Sequence, residues 1–204
     1  MGPLPSAGRH GRRCLHQGTA MIEVEAKFLV PDEETLMGSL RPHFDDATMT
    51  EYVQADEYFN HPCRDFNITD EALRIRKCND RLEVTYKGPR LDQVTKTREE
   101  LEVEIQNLCR PETELTLHSI LRALGFRSVG IVRKQRRSYV TSIEGSLLTL
   151  SIDRVEGLPL YAELEITCDP LERDAATATI LRLAERLALG QSERRSYLEL
   201  LGFR

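Results

Sequence analysis

From residue 21 onward the chain falls into short runs in which apolar and charged residues alternate, and this pattern constrains the fold more than any other feature. Strand side chains point alternately to two faces, so each such run carries one apolar and one charged face. Eight runs show it, at about residues 22–29, 52–60, 72–77, 81–87, 97–105, 130–141, 146–153 and 161–168. Asn79-Asp80 and Glu144-Gly145 are tight-turn sequences between neighbouring runs, which makes those neighbours antiparallel. Helical spacing punctuates the series at 32–40 after Pro31, 112–124 up to Gly125, 171–189 up to Gly190, and 193–201 before Gly202.

The two faces separate cleanly. In the first run Ile22, Val24, Ala26 and Phe28 leave Glu23, Glu25 and Lys27 opposite. Leu73 and Ile75 oppose Arg74 and Arg76; Leu82, Val84 and Tyr86 oppose Glu83, Thr85 and Lys87; Leu101, Val103 and Ile105 oppose Arg98, Glu100, Glu102 and Glu104. Leu148, Leu150 and Ile152 oppose Thr149, Ser151 and Asp153, and Ala162, Leu164 and Ile166 oppose Glu163 and Glu165. One strand of this kind fits an ordinary sheet with a wet face. Solvent faces mix Thr, Ser, Gln and Lys, however, whereas here nearly every run pairs charges at i and i+2 with the signs segregated between strands. That many strands can close a barrel. The expected fold is an eight-stranded antiparallel β-barrel of the α+β class, with the charged faces lining a tunnel and helices packed outside.

Such a tunnel needs compensation. Glu23, Glu25, Asp153, Glu163 and Glu165 repel one another inside it, as do Arg74, Arg76, Lys87, Arg98, Lys134 and Arg136, unless something bridges the two sets. A polyphosphate with divalent cations does so: carboxylates hold Mg²⁺ or Mn²⁺, and guanidinium and ammonium groups hold phosphoryl oxygens.

The net charge of −5 argues against a nucleic-acid footprint, and no apolar run reaches the roughly 20 residues of a membrane helix. Cys14, Cys63, Cys78, Cys109 and Cys168 form no CxxC pair and read as scattered thiols of a cytoplasmic protein. Residues 1–20 lack apolar periodicity and an h-region, and read as a disordered leader, an upstream start or a cloning remnant, with the domain spanning 21–204. Arg133 and Arg137 have surface parity, and His118 on its helical pattern reads as structural. A homodimer is left open.

The charged runs carry a family resemblance. Glu23-Val24-Glu25-Ala26-Lys27 resembles the ExExK signature of the CYTH superfamily, the triphosphate tunnel metalloenzymes. Asp56-Glu57-Tyr58-Phe59-Asn60 resembles that family's D-x-Y-F-D strand, Leu73-Arg74-Ile75-Arg76 its LRxR, and Thr85-Tyr86-Lys87-Gly88-Pro89 its T-x-K-G-P. Arg98 to Glu102 resembles R-x-E-x-E, Lys134-Gln135-Arg136 resembles K-x-R, and Asp153 with Glu163-Leu164-Glu165 resembles the carboxyl-terminal D and ExE elements. Two positions depart from the pattern: Asn60 stands for Asp, and Pro159 for Gly.

Within the superfamily, the segments 61–76 and 193–201 are most similar to the class IV adenylyl cyclases, which convert ATP to cyclic AMP and pyrophosphate. The resemblance implies metal binding by Glu23, Glu25, Glu102, Asp153, Glu163 and Glu165, with one or two Mg²⁺ or Mn²⁺ ions. It implies substrate binding by Lys27, Tyr58, Arg74, Arg76, Lys87, Arg98, Lys134 and Arg136, and catalytic roles for Glu25, Lys27, Glu163 and Glu165. The same cage serves inorganic or thiamine triphosphatases, and a non-catalytic polyphosphate-binding module is the alternative outside enzymes. Deletion of residues 1–20 is expected to leave cooperative thermal unfolding and metal-dependent turnover intact, because that segment has nothing apolar to pack; loss of either would place it in the domain.

Overall fold

The computed structural model describes residues 21–44, 46–79, 81–91, 97–105 and 112–203. The expectations for residues 1–20, Asp80, Cys14 and Cys109 therefore lie outside the described residues. Eight strands form: β1 (Ile22–Leu29), β2 (Thr48–Asn60), β3 (Ala72–Cys78), β4 (Arg81–Lys87), β5 (Arg98–Ile105), β6 (Arg127–Ile143), β7 (Ser146–Val155) and β8 (Leu160–Cys168). They close a barrel in the order β1-β5-β4-β3-β2-β6-β7-β8, with every ladder antiparallel. The β6–β7 hairpin turns on Glu144 and Gly145, both at positive φ, which matches the right-handed twist of the strands it joins.

The helices are α1 (Glu33–Phe44), α2 (Phe66–Thr69), α3 (Glu112–Ala123), α4 (Arg173–Arg186) and α5 (Tyr197–Leu200). No described helix is long and apolar enough to cross a membrane. Two expected helices are shorter than their spacing implies. Asp169 accepts a hydrogen bond from the Leu171 amide and opens a 3₁₀ turn over Pro170–Glu172, so α4 starts only at Arg173. At the carboxyl end Ser196 and Glu199 form a reciprocal capping box, so the helix begins after Ser196 and residues 193–195 stay non-helical, with the Glu193 amide donating to the Lys27 carbonyl. The unanticipated α2 is a single turn capped by Asp65.

Packing is that of a barrel turned inside out. The outward residues Val24, Phe28, Leu148, Leu150, Leu164 and Ile166 are buried under α1 and α4, which contribute Leu36, Leu40, Ile180 and Leu183. A second cluster seats Leu121 of α3 against Phe59, Ile75 and Leu82. His118 reinforces it as a structural residue: one ring nitrogen bonds Glu57 Oε2 at 2.7 Å and the other the Glu114 carbonyl at 2.7 Å. The third cluster is inside the barrel. Val132, Val155 and Tyr161 share the parity of the charged residues, and α5 drives Tyr197 in against them, with Leu198, Leu200 and Leu201 around it.

The β5 strand departs from the expectation that every apolar face meets a helix. Leu101 and Val103 are 59% and 57% exposed, and of its outward residues only Ile105 joins the α3 cluster. Its ladder to β1 is also short, Ile22↔Glu99 and Glu23↔Arg98, whereas β1 pairs with β8 from Ile22↔Cys168 to Leu29↔Tyr161. The load on the two sides of the barrel is thus unequal. Leu164→Ala should lower the unfolding free energy by about 2–5 kcal/mol, since a fully buried side chain leaves a cavity. Leu101→Ala should change it by about 0.5 kcal/mol or less. Urea unfolding midpoints of the two variants decide the contrast.

Candidate active site

The barrel encloses a cavity of about 320 Å³ lined almost entirely by the inward-parity residues. Its basic wall comes from β1 (Lys27), β3 (Arg74, Arg76), β4 (Lys87), β5 (Arg98) and β6 (Lys134, Arg136). Its acidic wall comes from β1 (Glu23, Glu25), β5 (Glu100, Glu102) and β8 (Glu163, Glu165). Tyr58 lines the cavity and also packs against the inner apolar cluster.

Struts behind the wall hold the basic groups in place. Asp56 is 1% exposed and takes Arg76 through Nε at 2.7 Å and a terminal nitrogen at 2.8 Å. Burial alone would raise its pKa, but Arg76, Lys134 and Arg74 hold it well below the usual carboxylate range. Asp153 is fully buried and does the same for Arg136, with Nε at 2.6 Å, while the Tyr197 hydroxyl donates to its other oxygen at 2.8 Å. A second arm of Arg136 reaches Glu163, whose other oxygen lies 3.6 Å from Lys27. Glu83 braces Arg74 at 3.0 Å. A guanidinium held by a bidentate carboxylate keeps its remaining N–H donors aimed in a fixed direction.

Of the expected metal set, Glu23, Glu25, Glu102, Glu163 and Glu165 face the cavity, joined by Glu100. Asp153 lies behind the cavity wall, and both it and Glu163 are paired with Arg136. Glu100 and the struts Asp56 and Glu83 were missed as site residues although strand parity put all three on the inner face. Tyr197 carried no such signal, since it reaches the cavity from a helix. Asn60 also finds its explanation: its amide nitrogen donates to Asp65 at 2.8 Å and its oxygen accepts from the His61 and Phe66 amides, so it builds the loop after β2.

The acidic wall is crowded. Burial, then a shared hydrogen bond with Glu23, pushes the Glu100 carboxyl up to about 8. Burial together with Glu23 and Glu25 pushes Glu165 well above the carboxylate range. Lys87 lies 3.2 Å from Glu23 and also bonds Glu100; it draws Glu23 below its ordinary value against the pull of burial. Carboxylates that retain protons because they crowd one another suit a divalent cation. Among the described residues, no three His, Cys, Asp or Glu side chains converge closely enough to hold a metal ion as they stand.

The CYTH domain model matches residues 21–197. The chain belongs to the CYTH family. It is 38% identical over 185 residues, 89% of its own length and 99% of the relative's, to the Methanocaldococcus jannaschii protein named "Putative adenylate cyclase MJ0240". Among solved structures, the PH1819 protein from Pyrococcus horikoshii OT3 is similar at a TM-score of 0.74 and 38% identity, covering 88% of this chain and 97% of that one. The Hippeastrum protein named "Putative adenylyl cyclase HpAC1", described as having a dominant triphosphatase activity, is similar at a TM-score of 0.61 over 88% of this chain and 95% of that one. At 17% identity that likeness is one of fold. Tunnel enzymes of the CYTH family depend on metal ions in general.

Lys134 makes the tunnel sensitive to pH. It is 4% exposed, and burial together with Arg136 lowers its pKa to about 8, against the attraction of Asp153 and Asp56. The unfolded chain keeps this proton up to the ordinary 10.5, so the free protein gains stability from this group as pH rises from about 8. Phosphate binding has the opposite sign, because it favours the ammonium and draws a proton onto it. Affinity for tripolyphosphate without metal should therefore weaken by up to about tenfold per pH unit above about pH 8. Calorimetric titration of Lys134→Gln should show weaker binding at pH 7 and a flatter pH profile; an unchanged profile would remove Lys134 from phosphate contact.

Proposed function

We propose that this chain is a metal-dependent adenylyl cyclase of the class IV type that converts ATP to cyclic AMP and pyrophosphate inside the tunnel. The observation that carries the reading is the meeting of a strut-held basic wall and a crowded acidic wall in one cavity. The relative named as an adenylate cyclase, matched over 99% of its length, supports the cyclase over other triphosphate chemistry. Arg74, Arg76, Lys87, Lys134 and Arg136 hold the phosphates, with Lys27 and Arg98 completing the basic wall. Mg²⁺ or Mn²⁺, held by Glu23, Glu25 or Glu165 with help from Glu100 and Glu102, would lower the pKa of the attacking hydroxyl and screen phosphate charge.

The ribose 3′-oxygen attacks the α-phosphorus in line, the bond from that phosphorus to the bridging oxygen breaks, and the electron pair leaves on pyrophosphate. The attacking hydroxyl's proton passes to solvent or to a carboxylate of the acidic wall. Arg76 and Arg136, fixed before substrate arrives, stabilise the developing charge without reorganising. Glu163 acts through Lys27 and Arg136.

The basic wall would hold any triphosphate, and the Hippeastrum protein shows that this fold also carries triphosphatase chemistry. The bond that breaks separates the readings. The cyclase should turn over an ATP analogue with a non-hydrolysable β,γ bridge and fail on 3′-deoxy-ATP. A triphosphatase should do the reverse. Release of orthophosphate from tripolyphosphate, with no cyclic nucleotide from ATP under Mg²⁺ or Mn²⁺, would overturn the cyclase reading and leave the triphosphate tunnel standing.

A further inference from the structure

The interior changes character along the barrel axis, and one of its zones has no part in gripping phosphate. At one end Val132, Val155 and Tyr161 meet the α5 plug. Next along β6 and β7 come Lys134, Arg136 and Asp153. Beyond Arg136 the inward residues of β6 and β7 turn neutral, while β8 sets Glu163 opposite Ser151 and Glu165 opposite Thr149 at their flank. Strand register sets Thr50 opposite Ser138 and Ser138 opposite Ser151, and in the following row Val140 opposite Thr149. Tyr52 leans over this wall and bonds Ser138 through its hydroxyl at 3.1 Å, and Ser138 lies 3.0 Å from Ser151. Tyr52, Thr50, Ser138, Thr149 and Ser151 line the same cavity as the arginines.

Ser138 and Ser151 are buried, Thr149 and Tyr52 half-buried, and Thr50 exposed, so the wall climbs from the charged centre to the open end. The Thr50 and Thr149 hydroxyls make no side-chain hydrogen bond among the described residues and stay available as donors and acceptors. Hydroxyls and a phenol ring give little to an anion that seven cationic side chains already surround. They match a neutral organic group that carries its own hydroxyls and a flat ring.

We infer that the wall formed by Thr50, Tyr52, Ser138, Thr149 and Ser151 is the subsite for the nucleoside end of a nucleoside triphosphate. The free threonine hydroxyls meet the ribose or the edge of the base, and the Tyr52 ring packs on the base. This inference rests on the reading of the tunnel as a triphosphate site, and it adds that the tunnel distinguishes a nucleoside triphosphate from the bare inorganic chain. A ladder of Ser and Thr that serves only to pair strands is the bland alternative.

The test compares two ligands on the same variants. Thr50→Val, Thr149→Val and the double variant remove hydroxyls at the open end and keep side-chain volume and β-branching, so the barrel folds; Tyr52→Leu removes the ring. Each is titrated calorimetrically with ATP and with inorganic tripolyphosphate under the same Mg²⁺ concentration. The double variant should bind ATP about fivefold to tenfold more weakly, the equivalent of one or two lost hydrogen bonds, with tripolyphosphate affinity within about twofold of wild type. Tyr52→Leu should shift in the same sense. Equal losses for both ligands would make the wall structural, and no loss for either would place the nucleoside elsewhere; both overturn the inference while the triphosphate reading stands. A wild-type protein that binds neither ligand would overturn that reading and the inference with it.

Discussion

Buried ion pairs between neighbouring strands are the constraint on which the rest of this structure depends. The Arg76–Asp56 and Arg136–Asp153 pairs sit inside the barrel with both partners largely out of water. Such pairs rarely stabilise a fold, because desolvating two charges costs about as much as their attraction returns. Here they serve to fix direction. Each aspartate occupies one side of a guanidinium and fixes its orientation in the cavity wall. The stability that an ion-paired interior does not supply comes from outside, where β1, β7 and β8 bury an almost continuous apolar surface under α1 and α4. Function and stability thus occupy opposite faces of the same strands, which is why the sequence alternates so insistently.

That division explains what could be read from the chain and what could not. Parity alone orders the wall: Glu23 against Val24 and Arg74 against Leu73 declare which face each strand turns inward, and the strand boundaries fall within a few residues of those observed. Parity does not say which carboxylate meets which cation. Asp153 and Glu165 look alike along their strands, yet register sets Asp153 opposite Arg136 and Glu165 opposite Glu25, so one becomes a strut and the other part of a repelling cluster. Nor could strand arithmetic find Tyr197, which enters from a helix of four residues whose spacing announces no inward face. The hydroxyl wall was legible as residues, Thr149 and Ser151 among them, but acquired meaning only when register aligned them with Thr50 and Ser138.

The Tyr197 plug closes a gap that eight strands leave open. A barrel of this size is wide enough to hold side chains, and a charged interior open at both ends would be filled by water that screens the basic wall. Tyr197, 5% exposed, packs against Val132, Val155 and Tyr161 at one end. Its ring lies 3.6 Å from the Lys27 ammonium and 5.3 Å from that of Lys134, and its hydroxyl bonds Asp153. One aromatic side chain therefore supplies apolar closure, a cation–π face for two lysines and a hydrogen bond to a strut. The stretch before α5 is tied to β1, with the Lys27 side chain donating to the Arg195 carbonyl at 3.0 Å and the Lys27 carbonyl accepting from the Glu193 amide.

Charge balance gives the acidic wall its logic. Seven cationic side chains and six carboxylates line the cavity, and Asp56, Glu83 and Asp153 stand behind, so the interior carboxylates exceed the cations by two. Burial and the neighbouring carboxylates push the Glu100 and Glu165 carboxyls upward, which is the mark of that excess. A divalent cation entering this wall would relieve the repulsion among its carboxylates and favour their ionised forms. The triphosphate's own charge then falls on the strut-held arginines and on Lys134, whose lowered pKa marks the place where one more anion is wanted. A metal on the acidic wall and phosphate on the basic wall would each relieve the repulsion within its own set, so binding of either would favour the other.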